Sequence, residues 1–183
     1  GIAVCKPAVD YRSKEPLYYY YIGVSYMRKE DNKKALEAMR QCLDRVGNAG
    51  DNKVNMIVNA NSLMAELYHQ LGQDDKAFLA YDSVLIYRPN DAMALNNYAY
   101  YLSLNKKNMT RAEEMSRKAI ELEPDNATYL DTYAWVLFQM KRYDEAKEYM
   151  DKVVELIDPE ELKNDSDIKE HIVQINKKVK NKK

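Results

Sequence analysis

Apolar side chains recur along this chain at helical spacing. Ile22, Gly23 and Tyr26 share one helix face, and the same spacing returns at Met64, Ala65 and Tyr68, at Tyr98, Ala99 and Leu102, and at Tyr133, Ala134 and Leu137. Each cluster is followed by a second apolar stretch begun by a small residue: Ala35-x3-Met39, Ala77-x3-Tyr81, Ala112-x3-Ser116 and Ala146-x3-Met150. The pattern predicts four pairs of helices. Gly23, Ala65, Ala99 and Ala134 sit where a first helix must approach its partner closely, and Ala35, Ala77, Ala112 and Ala146 do so on the second. Each pair leaves an apolar face that only a neighbouring pair can bury, so stability is expected from nearest-neighbour stacking.

The pairs are copies of one unit. Ala112 and Ala146 are 34 positions apart and Ala77 and Ala112 are 35, so the Lys106–Thr110 turn carries one extra residue. Ala35 and Ala77 are 42 apart; the surplus falls around Gly47-Asn48-Ala49-Gly50-Asp51-Asn52, read as a loop, and Val54 and Ile57 indicate a first helix that starts early. Pro89, Pro124 and Pro159 close successive units. This signature resembles the tetratricopeptide repeat (TPR) family: a large residue, an aliphatic–small pair, a Tyr, then an Ala and a Pro at fixed offsets. The resemblance implies an all-α fold, a right-handed solenoid of helix-turn-helix repeats. Repeat bounds follow as 16–49, 50–91, 92–126 and 127–160. Residues 1–15 read as the tail of a preceding repeat, which suggests a piece of a longer chain. In 161–183, Asp165-Ser166-Asp167 offers N-caps for a capping helix carrying Ile168, Ile172, Ile175 and Val179, with Lys169, Glu170, Lys177 and Lys178 toward water.

Composition narrows the function. The 183 residues include 28 Lys and Arg against 29 Asp and Glu, a net charge of −1, which argues against general nucleic-acid binding. Five Gly and five Pro suit a mostly helical chain. No apolar run approaches the ~18 residues of a membrane span. Cys5 and Cys42 form no CxxC pair, and two cysteines build no disulfide framework. Their placement on the family's second helices implies that they stay unpaired.

Chemistry is sparse. His69 and His171 belong to no HExxH motif, and His171, following Glu170, is expected to face water. No GxxxxGK[ST], GxGxxG or GxSxG occurs, so neither a phosphate cradle nor a serine nucleophile is encoded, and no catalytic residue, metal ligand or cofactor site is expected. Asp74-Asp75, Glu113-Glu114 and Glu160-Glu161 read as helix-dipole partners. Three Asn-x-Ser/Thr triplets, at Asn108, Asn126 and Asn164, fall at turns, where these residues serve as caps. The five lysines within 177–183 read as a solubilising helix end.

The resemblance points instead to a non-enzymatic scaffold that binds a partner protein or peptide in the concave groove lined by first helices. A purely structural or self-associating arm is the alternative, and homo-oligomerisation is left open. By family geometry the groove residues are Tyr20, Val24 and Met27; Ser62, Glu66 and His69; Asn96, Tyr100 and Ser103; and Asp131, Trp135 and Phe138. They include no Lys or Arg, so a clamp for a partner's terminal carboxylate is unsupported. Tyr20, Tyr100 and Trp135 are the candidate anchors, with packing and groove exposure both open for Trp135. The runs Leu95–Leu102 and Tyr129–Leu137 resemble bacterial TPR proteins, which often sit in the cell envelope, and an envelope location is favoured over the cytoplasm.

Overall fold

The computed structural model describes residues 15–180, and none of these lies in a β-strand. They form two compact units that divide after Pro89. The first contains α1 (Pro16–Met27), α2 (Asn32–Asp44), a 3-10 segment (Val46–Asn52), α3 (Lys53–Gln70) and α4 (Asp74–Tyr87). The second contains α5 (Ala92–Leu104), α6 (Met109–Leu122), α7 (Ala127–Gln139), α8 (Tyr143–Leu156), the short α9 (Pro159–Asn164) and α10 (Ser166–Lys180). Helices pair as α1/α2, α3/α4, α5/α6 and α7/α8. Within each unit the second helix of one pair packs on the first helix of the next, and α10 lies on α8 and α7. Residues 1–14, with Cys5 and most of the stretch expected to be the tail of a preceding repeat, and the lysines at 182 and 183 lie outside the described residues.

The turn inside each pair is built the same way four times. At the end of α3 the Gly72 N–H donates to the His69 carbonyl at 2.8 Å and the Gln73 N–H to the Tyr68 carbonyl at 2.8 Å. Glu30 and Asp31, Lys106 and Lys107, and Lys141 and Arg142 repeat both bonds at the ends of α1, α5 and α7. This is the Schellman arrangement, which needs a left-handed residue just past the helix. Gly72 supplies it at φ 68°, but Glu30, Lys106 and Lys141 adopt φ of 58°, 51° and 64° without glycine's freedom. The extra residue in the third repeat's turn is taken up at Asn108, also left-handed at φ 41°. Side-chain caps start the next helices: Asp31 accepts from the Lys34 N–H, Asp91 from Ala94, Asn126 from Tyr129, and Asp165 from both Asp167 and Ile168.

The small residues mark the tightest packing. Ala35, Ala65, Ala77, Ala99, Ala112, Ala134 and Ala146 are fully buried. Gly23 is tighter still, since a Cβ built on it would lie 2.5 Å from Met39 Cε and 3.3 Å from the Ala35 carbonyl oxygen. The loop expected at residues 47–52 is a 3-10 turn broken at Gly50, where φ is 54° and ψ is −131°. Beyond it α3 runs for 18 residues, burying Met56 and Val58 while Val54 stays exposed. In the second unit, Leu130, Leu137, Ala146, Met150 and Val153 form a core that Ile168 and Ile175 of α10 complete. Lys169, Glu170, Lys177 and Lys178 are exposed on the other side of that helix.

Candidate functional site

The two units present their first-helix side chains differently. On α1, Tyr20, Val24 and Met27 recur at helical spacing and are all half-buried; on α3, Ser62, Glu66 and His69 do the same. Burial holds the Tyr20 phenol above its ordinary pKa, and the charge of Glu66 adds to that shift. Glu66 is likewise raised by burial. The His69 Nδ1 lies 2.7 Å from Asp74 Oδ1 at the start of α4. These six residues form a stripe of apolar, aromatic and acidic groups, part-covered and part-open.

In the second unit the corresponding residues are largely closed off. Asn96, Ser103, Asp131 and Trp135 are buried, while Tyr100 and Phe138 remain half-buried. The Trp135 indole stacks with two rings: Phe138 at 4.9 Å with planes 13° apart, and His171 of α10 at 4.0 Å with planes 16° apart. Both Asp131 carboxylate oxygens lie at hydrogen-bond distance from His171 Nδ1, at 3.0 and 2.9 Å. The Tyr100 hydroxyl donates to Asp167 Oδ2 at 3.2 Å.

Two sequence expectations change here. His171 was expected to face water, yet only 4% of it is exposed. It lies three residues after Ile168 and four before Ile175, on the same face of α10, so the docking that buries the isoleucines buries the imidazole. The ring stacks on Trp135 and its Nδ1 edge meets the Asp131 carboxylate, which suits both its apolar and its polar character. Trp135, left open between packing and exposure, is packed, with 6% exposed. The signal for His171 was present in its spacing; for Trp135 it was absent, because the covering residue lies 36 positions downstream.

Above this packed layer lies a cavity of about 130 Å³, lined by Asn96, Asn97 and Tyr100 of α5, Thr128, Asp131 and Thr132 of α7, and Asp165, Asp167 and Ile168. Its character is acidic. Burial pushes the Tyr100 phenol far above its ordinary pKa, and the charges of Asp167, Asp131 and Asp165 push it further. Asp131 is also raised, by burial first; its bond to His171 opposes that shift and the charges of Asp165 and Asp167 reinforce it. Among the described residues no cluster of His, Cys, Asp and Glu is arranged to hold a metal ion. No helix among them is long and apolar enough to cross a membrane. Cys42 is a fully buried free thiol whose pKa burial raises.

Paired helices, four identical turns and small residues at each helix crossing define a repeat protein. The chain belongs to the tetratricopeptide repeat family: models of that repeat match residues 18–49, 93–126 and 127–158, more than half of its length. It is thus an all-α TPR array, a kind of fold that serves as a protein-interaction scaffold. A TPR repeat-containing protein of Pseudomonas aeruginosa, PA4667, is 27% identical over 143 residues, which are 76% of this chain and 23% of that protein, so the chain spans under a quarter of that relative. Among solved structures, P. aeruginosa pilF superposes with a TM-score of 0.69 at 20% identity, covering 91% of this chain and 69% of that one. The second TPR domain of human RPAP3, solved with an HSP70 peptide, superposes at 0.57 and 15% identity, covering 67% of this chain and 98% of that one. At these identities the structures speak for the fold.

Proposed function

We propose that the chain is a non-enzymatic scaffold that binds a partner protein segment along its first-helix face, and that the α1/α3 stripe is the principal site. The observation that carries this reading is the contrast in burial. All six stripe residues of the first unit are half-buried, whereas four of the six in the second unit are covered. Half-buried Tyr20, flanked by Val24 and Met27, offers apolar area with a polar tip, the make-up favoured at interface anchors. Glu66 adds an acidic neighbour. The RPAP3 domain, solved in complex with an HSP70 peptide, lends support as a relative in fold that takes a short peptide.

The test is selection of peptides from a displayed library on the immobilised protein. Tyr20→Ala should weaken selected peptides by about 2 kcal/mol, roughly thirtyfold, as for a central interface aromatic. Unchanged affinity in folded Tyr20→Ala and Glu66→Gln variants would refute the assignment. A second reading, self-association, draws on Leu79 and Ile86 of α4, which lie on one face and are 67% and 76% exposed. It is tested by sedimentation of the protein with and without Leu79→Glu and Ile86→Glu.

A further inference from the structure

The segment that lengthens the second repeat builds a cavity outside the proposed stripe. Ala35 and Ala77 stand 42 positions apart, and α3 has 18 residues against 13 in α5 and 13 in α7. The added length and the 3-10 turn before it enclose, with the start of α1, a cavity of about 350 Å³. Four asparagines line it: Asn48 and Asn52 from the turn, Asn55 and Asn59 from α3. All four are exposed. Pro16, Leu17, Ala49 and Met56 make the rest of the lining apolar, and Glu15 is its one charged residue.

Local backbone needs do not account for these asparagines. Asn52 stands at the N-cap of α3, where an Asn side chain ordinarily bonds the first turn, and makes no such bond. Asn126, by contrast, caps α7. Asn55 and Asn59 lie inside a helix, where Asn is a poor helix former. Asn61 of the same helix donates to the Ile57 carbonyl at 2.8 Å, whereas the Asn55 Oδ1 accepts from Arg88 at 2.6 Å. Residues that break a local preference without a local gain point to a functional site.

The cavity is continuous with the first-helix face. Asn55 and Asn59 extend the row of Ser62, Glu66 and His69 on α3 at spacings of three and four residues, and Leu17 extends the row of Tyr20, Val24 and Met27 on α1. Asparagine amides offer a donor and an acceptor without charge, which matches a peptide main chain. The lining holds no Lys or Arg for a phosphate or a terminal carboxylate, and no aromatic ring on which a base would stack. Leu17, 48% exposed, gives an aliphatic side chain a surface to lie on.

We infer that this cavity is a subsite for one aliphatic residue of a bound partner segment, with its side chain against Leu17 and its main-chain amides bonded by the asparagines. The inference rests on the reading of the chain as a partner-binding scaffold and adds a second anchor to it. From Asn59 or Asn55 to Glu66 the helix spans roughly 10–16 Å, the length of three to five residues of extended chain. That is the spacing expected between the aliphatic residue and the one that meets Tyr20 and Glu66.

The experiment is an NMR titration of isotope-labelled protein with capped leucine (Nα-acetyl-leucine methylamide). Its analogue methylated at both amide nitrogens, which keeps the side chain and lacks the N–H donors, is titrated in parallel. Capped leucine should give saturable shifts at the Asn52, Asn55 and Asn59 side-chain amides with about millimolar affinity. The methylated analogue should bind about fivefold more weakly or less. Asn52→Ala removes no cap and Asn59→Ala favours the helix, so both variants should fold. Each should weaken capped leucine about threefold to tenfold, the worth of one neutral hydrogen bond. Absence of saturable shifts, equal binding of the methylated analogue, or wild-type affinity in both variants would overturn the inference. Peptides selected from the displayed library keep the two readings apart. Peptides that lose affinity in Tyr20→Ala but in neither asparagine variant refute the subsite alone. Capped leucine bound in the cavity, with selected peptides indifferent to Tyr20→Ala and Glu66→Gln, refutes the stripe instead.

Discussion

Trp135→Ala separates a packing role for this residue from a binding role. The indole is 6% exposed and stacks with both Phe138 and His171. Truncating a buried Trp to Ala costs about 3–5 kcal/mol through lost transfer energy and the cavity left behind. The stacked pairs are worth about 0.5–1.5 kcal/mol of that beyond area alone. Were Trp135 instead an exposed groove residue, its loss would change stability by no more than about 0.5 kcal/mol. The two cases therefore differ severalfold. Because His171 is the ring stacked from α10, the damage should concentrate there. In a repeat array stability is a sum of nearest-neighbour terms, so the element that loses its contacts loosens before the rest.

The assay has two parts. Urea unfolding should be followed by helical circular dichroism, since the chain's single Trp is the residue removed. Amide hydrogen exchange should then locate the loss: residues of α10 should exchange orders of magnitude faster, while amides of α1–α4 keep their protection. Trp135→Phe, which retains a ring to stack with Phe138 and His171, should lose much less. A cost below about 1 kcal/mol with unchanged exchange in α10 would refute the packing argument.

Three further outcomes follow from the geometry. Lys141→Gly removes a left-handed strain of about 1–2 kcal/mol and adds a smaller entropic cost, so thermal unfolding should show a net gain of about 0.5–1 kcal/mol; the mutation of exposed Lys169 to Gly within α10 should do the opposite. Gly23→Ala gains up to about 1 kcal/mol in helix propensity but drives a Cβ to 2.5 Å from Met39 Cε and 3.3 Å from a backbone oxygen, so a net loss of about 1 kcal/mol is expected in chemical denaturation, relieved when Met39 is also shortened to Val. Burial raises the Asp131 pKa above 3.8, so its contribution to stability is greatest below that ordinary value and is lost as pH rises through the folded one; Asp131→Asn should thus gain in melting temperature relative to wild type between pH 4 and pH 7, and a constant difference would count against it.

What could be read from the sequence was whatever depends on neighbours a few positions apart. The 3.6-residue period at Ile22, Gly23 and Tyr26 and the small residues at the crossings depend on local spacing, and local spacing is printed in the chain. Three of the four Schellman turns were invisible, because Glu30, Lys106 and Lys141 occupy a left-handed conformation that only Gly72 advertises. The repeat tolerates that strain because two backbone bonds and the flanking packed helices fix the turn whatever the side chain. The candidate site was harder still. Placing residues on first helices put Tyr20 and Glu66 on one stripe, and in the first unit that stripe is open enough to use. In the second unit the same placement selected Asp131 and Trp135 without knowing that α10 brings an imidazole against both. A helix that only capped the array would need no histidine in its apolar stripe, since a fourth isoleucine would bury more apolar surface without a polar edge to satisfy. The polar edge of His171 is met by Asp131, whose charge burial disfavours and the bond to His171 partly restores. A polar pair of this kind, in place of simple packing, is the feature that sets the docking of α10 apart from a purely apolar contact.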